Sequence, residues 1–121
     1  MKPKPKREPQ LRPRLRIVCG EDIALGPGKV DLLRLIGETG SIREAAERMG
    51  MSYMRAWKLI KTINACFKDP IVEAIRGGRS HGGATLTETG RKALGLYQRM
   101  EADSVVATKP RWNELKALLR G

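Results

Sequence analysis

Arg55, Lys58 and Lys61 recur at every third position in a stretch, Ser52 to Lys68, that contains no acidic residue. At this spacing they share one face of an α-helix, which advances about 100° per residue. Lys58 falls near the middle of that face, with Arg55 and Lys61 about 60° to either side. Such a row can pair with phosphate oxygens, and Arg or Lys can donate to O6 and N7 on a guanine edge. Thr62 lies alongside and brings a hydroxyl able to donate or accept. On the opposite side Ala56, Ile60, Ile63 and Phe67 fall within about 60° of one another, an aliphatic strip suited to a core. Arg55 sits in the first turn, where the helix dipole disfavours a cation by about 0.3–1 kcal/mol. A residue that opposes its own helix in this way often serves a ligand. Trp57, beside Tyr53 and Asn64, is expected to pack at the core edge.

The elements around this helix, expected over about 52–66, must hold it with the charge outward. Gly50-Met51-Ser52 is a three-residue turn, and before it Ser41 to Met49 reads as a short helix. Ser41 and Glu44 have the S-x-x-E capping-box spacing, in which each side chain satisfies the other residue's free amide. Ile42, Ala45, Ala46 and Met49 mark its buried face, and the small alanines let the next helix approach closely. Arg43 with Glu47 and Glu44 with Arg48 are expected as ordinary surface pairs. Two helices this close cross steeply, which is the sequence form of a helix-turn-helix whose second helix enters the DNA major groove.

Outside this pair, Lys and Arg alternate with four prolines over residues 1–14, a composition that predicts a disordered basic arm. Leu15 to Cys19 reads as a short strand, and Gly26-Pro27-Gly28 breaks the chain before a first helix over 27–38 with Val30, Leu33 and Ile36 inward. Ile71 to Ile75 and Ala84 to Leu86 read as the strands of a hairpin with a long basic, glycine-rich tip. Arg76 and Arg79 there could supply charge to phosphates. Thr87 caps a long helix over 88–106, with Ala93, Leu94, Tyr97 and Met100 on one side and an apolar remainder available to a second subunit. Pro110 is expected to break the chain before a short C-terminal helix. The domain plan is an arm at 1–14, a DNA-binding domain at 15–107 and a terminal helix at 108–121.

The chain has 121 residues, a net charge of +11 and a pI near 10.3, which predicts one domain with an anionic partner. Aromatics make up only 4%, too few for a single-strand binder built on stacked bases. Cys19 and Cys66 are expected as buried free thiols. No apolar run is long enough to span a membrane and none follows the basic N-terminus, so the protein is expected in the cytoplasm. His81 stands alone among glycines, so no metal is expected there. The glycines lack the G-K-[ST] of a phosphate loop, and no nucleophile stands beside a base, so catalysis is not expected. Three readings remain: a sequence-specific duplex-DNA regulator, a winged-helix module that binds protein, and an RNA-binding module.

Several segments together resemble the N-terminal domain of the ModE family of molybdate-responsive transcriptional regulators. They are Gly40-Ser41-Ile42, Gly50-Met51-Ser52-Tyr53, Ala56-Trp57, and Gly77-Gly78 with Gly82-Gly83-Ala84. Leu86-Thr87-Glu88-Thr89-Gly90 adds an L-T-x-x-G motif also seen in LysR-type regulators. The resemblance covers roughly residues 15 to 105. It implies a mainly α winged helix-turn-helix with a small β-hairpin wing, dimerised through long helices on a palindromic operator. The recognition helix would start at Ser52 and the wing would span Arg76 to Gly83. Arg55 and Lys58 would then reach base edges with Lys61 and Thr62 alongside, while Ser52, Tyr53, Arg76 and Arg79 would hold phosphates or the minor groove. Members of the family continue into molybdate-binding domains. With the sequence ending at Gly121, a regulator without those domains is expected, with no cofactor and with direct molybdate sensing in doubt.

Overall fold

The computed structural model describes residues 8–75 and 83–120. Its elements run β1 (Ile17–Cys19), β2 (Asp22–Leu25), α1 (Pro27–Thr39), α2 (Ile42–Arg48), α3 (Tyr53–Cys66), β3 (Val72–Ala74), β4 (Ala84–Leu86) and α4 (Glu88–Leu118). The strands form two antiparallel ribbons, β1 with β2 and β3 with β4. In the second, Val72 pairs with Leu86 and Ala74 with Ala84. The architecture is the winged helix-turn-helix expected from the sequence.

Three helices make the core. Pro27 at the first position of α1 supplies a preset φ, and Gly40 ends the helix at φ +69°, a left-handed conformation that favours glycine. Val30, Leu32, Leu33 and Ile36 of α1 meet Ala45 and Ala46 of α2, and Ala56, Ile60 and Ile63 of α3 close the cluster. Both α2 alanines are fully buried, as a close crossing requires. The capping box of α2 forms by half: the Glu44 amide donates to Ser41 Oγ at 3.0 Å, but the Ser41 amide donates to Thr39 Oγ1 instead. That partner frees the Glu44 carboxylate to receive Arg48 Nη2 at 3.4 Å.

Two polar clasps join the ribbon to the helices. Asn64 of α3 imitates a neighbouring strand: its Oδ1 accepts from the Ile71 and Val72 amides at 2.8 and 3.2 Å, and its Nδ2 donates to the Val72 carbonyl at 3.0 Å. Thr87 caps α4 by accepting from the Gly90 amide, while its hydroxyl donates to the Pro70 carbonyl at 2.6 Å. Here α4 lies so close to the chain at Ile71 that a Cβ on Gly90 would stand 2.2 Å from the Ile71 carbonyl oxygen. Only glycine fits, which gives the L-T-x-x-G motif its physical reason. Farther along, Tyr97 is buried and donates to the Leu15 carbonyl at 2.7 Å. Burial pushes its hydroxyl pKa up, and the nearby Glu101 adds to the rise.

Two expectations need correction, and the first strand gains a partner. The first strand is half of a hairpin, because Asp22–Leu25 returns antiparallel along it. Pro110 does not end α4, which runs through it for 31 residues, about 46 Å. A mid-helix proline orphans the carbonyl four residues back, here that of Val106, which is 72% exposed, so water can satisfy it. Cys19 is exposed and Cys66 half-buried, so neither is a buried thiol. Partial burial pushes the Cys66 thiol pKa up, with a hydrogen bond to Cys19 as a second cause. Residues 8–14 take no helix or strand, yet Leu11 lies in a shallow cleft with Trp112 and Leu115.

Asn64→Ala removes three hydrogen bonds at a part-buried seam, and each unsatisfied group there costs about 1–3 kcal/mol. The thermal midpoint followed by circular dichroism should fall by at least about 4 °C. An unchanged midpoint would show that the clasp does not hold the ribbon to α3.

Candidate nucleic-acid interface

Packing decides the rotation of α3 about its own axis. Ala56, Ile60 and Ile63 are buried, and Phe67 packs against the same cluster. Ser52 ends the turn as N-cap, its Oγ accepting from the Arg55 amide at 3.1 Å. With the aliphatic side fixed inward, Arg55, Lys58 and Lys61 are all exposed, and none pairs with a carboxylate among the described residues. The first turn of α3 contains no acidic residue, so the unfavourable placement of Arg55 stands uncompensated there.

Other sequence-derived site residues are placed less simply. Thr62 is half-buried, and its hydroxyl donates to the Lys58 carbonyl at 3.1 Å, leaving its lone pairs available. Tyr53 packs against the core with the Arg43 guanidinium 5.5 Å from its ring centroid. Arg43 therefore stacks there, and the ion pair expected with Glu47 is not formed. Trp57 is 39% exposed rather than tucked into the core edge, and the Lys61 ammonium lies 4.7 Å from its ring centroid. The aromatic ring thus holds the cation on the outer surface. Arg76 and Arg79, with most of the expected wing, lie outside the described residues.

Met54 was not singled out by the sequence reading. It is 58% exposed and lies about 40° from Lys58 on the outward face. Its helical phase is legible in the sequence, but a thioether carries no charge to mark it as part of a cationic face. Asp22 was missed for a different reason: β2 was not foreseen. It borders a shallow cleft with Lys58, Lys61, Thr62 and Ala65, placing a carboxylate beside the C-terminal half of the outward face. The N-terminal half carries Met54 and Arg55, and the cleft that Arg55 lines holds no Asp or Glu among the described residues. On the flank nearer β3, Trp57, Lys61 and Asn64 line a second open cleft with Val72 and Ala74.

The result is a convex cationic ridge between two flanking ribbons, a shape suited to a groove rather than to enclosing a small substrate. Among the described residues, no three His, Cys, Asp or Glu side chains gather as metal ligands would. No described helix is long and apolar enough to cross a membrane.

Residues 29–91 match the family described as bacterial regulatory helix-turn-helix protein, lysR family. The chain is 42% identical over 78 residues to the molybdenum-pterin-binding protein MopB of Rhodobacter capsulatus, covering 64% of this chain and 29% of that protein. It is 38% identical over 71 residues to the DNA-binding transcriptional dual regulator ModE of Escherichia coli strain K12, covering 59% of this chain and 27% of that protein. The chain thus spans less than a third of either relative. The fold is also that of the protein chain in a crystal structure of a CbnR_DBD–DNA complex, with a TM-score of 0.53 and 20% identity over 73% of this chain and 94% of that one.

Arg55→Glu should stabilise the isolated protein by about 0.3–1 kcal/mol, because an anion at this position suits the helix dipole. A raised midpoint in denaturant measures it. A lowered midpoint would mean that Arg55 contributes to the fold rather than opposing it.

Proposed function

Because the chain belongs to the lysR family of bacterial regulatory helix-turn-helix proteins, we propose that it is a sequence-specific, double-stranded-DNA-binding transcriptional regulator of the ModE type. The observation that carries this reading is the solvent-facing row Arg55, Lys58 and Lys61 on a helix whose reverse side, Ala56, Ile60 and Ile63, is locked in the core. Phosphate contacts hold a protein in register on DNA, and base-edge contacts specify sequence. On this assignment Arg55 and Lys58 read base edges from the N-terminal half of α3, with Lys61 and Thr62 beside them. Ser52 and Tyr53, at the helix start, contact the backbone. Arg76 and Arg79 are assigned to phosphates on the strength of their sequence setting alone.

The active species is a homodimer formed through α4. Beyond Tyr97 no described residue of α4 is buried, although Leu96, Met100, Val105 and Leu115 continue its apolar content outward. A helix carrying this much unpaired apolar surface is stabilised by a partner, and a closed two-fold pair puts two recognition helices on one face. The operator is then a palindrome whose half-sites lie about one helical turn, roughly 34 Å, apart. Of the relatives' properties, the proposal takes DNA recognition; the molybdenum and pterin in their names belong to proteins far longer than the region matched.

Selection from random duplex DNA should enrich such a palindrome. Lys58→Ala should lose about 1–3 kcal/mol of discrimination at one base position of the selected site. Equal loss on selected and random duplex would remove Lys58 from base reading, and no enrichment with the unaltered protein would remove the function. Leu96→Glu combined with Met100→Glu, both at exposed positions, should give a monomer by sedimentation equilibrium with its helical content retained. A dimer that survives both changes would place the interface elsewhere.

A further inference from the structure

The flank of α3 away from β3 carries a cleft of about 240 Å³ into which four cations converge: Arg14 and Arg16 ahead of β1 and within its approach, Lys29 in α1, and Arg55 in α3. They come from three separate segments of the chain, and no Asp or Glu lines the space among them. None of the four forms an ion pair among the described residues. Like charges gathered this way repel one another, and no described carboxylate lines the cleft to offset them.

The backbone at the cleft presents the same polarity. Gly26, the N-cap of α1, has no side chain to cap the helix, and Pro27 has no amide. The amides of Gly28 and Lys29 therefore have no capping side chain, and the space where a Cβ of Gly28 would stand is open. The Lys29 ammonium donates to the Ile23 carbonyl, with two protons left to give. Met49, Met51 and Leu59 form an apolar rim that lowers the local dielectric and strengthens any charge pairing inside.

We infer that this cleft is a second DNA contact, in which Arg14, Arg16 and Lys29 hold backbone phosphates on the side of the major groove opposite β3. The inference rests on the DNA-reading function proposed above. Arg55 selects the partner: it belongs both to the cleft wall and to the outward face of α3, so a polyanion lying along α3 reaches both at once. The other source of the same chemistry is a free oxyanion such as inorganic phosphate. Arg14 and Arg16 precede the region matched to the family, residues 29–91, so they extend the contact surface beyond it.

The test uses the full chain and the duplex it selects. Each neutralised phosphate contributes about 0.9 to the slope of log affinity against log salt. Arg14→Gln with Arg16→Gln changes two exposed side chains. This pair should lower affinity for selected and random duplex by the same factor and flatten the slope by about 1.8. Arg14→Lys with Arg16→Lys, which keeps the charge, should restore the slope. Lys29→Gln, as an independent variant, should flatten it by about 0.9. A neutral methylphosphonate at the contacted position of the duplex should weaken the unaltered protein and leave the double variant unaffected. Slopes unchanged in all variants, while the unaltered protein still selects a sequence, would overturn this inference alone. No duplex binding by the unaltered protein would instead overturn the function on which it rests. Saturation of the Gly28 and Lys29 amide resonances by inorganic phosphate, with duplex affinity untouched by the variants, would assign the cleft to a free anion and overturn the DNA contact.

Discussion

The seating of Ala56, Ile60 and Ile63 against the α1–α2 core is the constraint on which the rest of the molecule depends. A helix of 14 residues can be rotated about its axis in many ways, and only this contact chooses one. Once those three side chains are inside, the directions of Arg55, Lys58 and Lys61 follow from 3.6 residues per turn. The clasps reinforce the choice. Asn64 ties the same helix to β3 on one flank, and the β1–β2 hairpin closes on the other, so α3 is gripped from three sides and left open on the fourth. The open side carries the charge.

Much of this was legible in the chain itself. The repeats of Ile42, Ala45, Ala46 and of Ala56, Ile60, Ile63 gave both helices of the motif and their buried faces, because helical period is a local property. Thr87 was recognisable as a cap for the same reason, and Leu86-Thr87 with Gly90 marked the start of α4. Residues that act through distant partners were not legible. Asn64 looked like a neighbour of Trp57; its actual work is with Ile71 and Val72, across a turn whose path the sequence does not state.

The misreadings share a cause: local rules met tertiary context. Gly20 and Glu21 join two strands too short to show a period, so β2 was unseen and with it the position of Asp22. Pro110 is a strong local breaker, but in an exposed helix water can take the carbonyl it displaces, and α4 continues. Ser41 and Glu44 fit a capping box, yet Thr39 reached the Ser41 amide first. Arg43 had a carboxylate four residues on and an aromatic ring across the turn, and it stacks on the ring. In each case the partner that won was one that the repeat of apolar positions does not reveal.

The site combines an inward aliphatic surface that sets geometry with an outward cationic one left without carboxylate partners among the described residues, an arrangement suited to an anion. Placing a photo-activatable cross-linker at position 58 in one variant and at position 47, on the outer face of α2, in another tests this most directly. The account predicts that position 58 attaches to bases of the selected duplex and that position 47 attaches to few or none. Adducts of equal yield from both positions, or base adducts from 47 alone, would contradict the assignment of α3 as the helix that enters the groove.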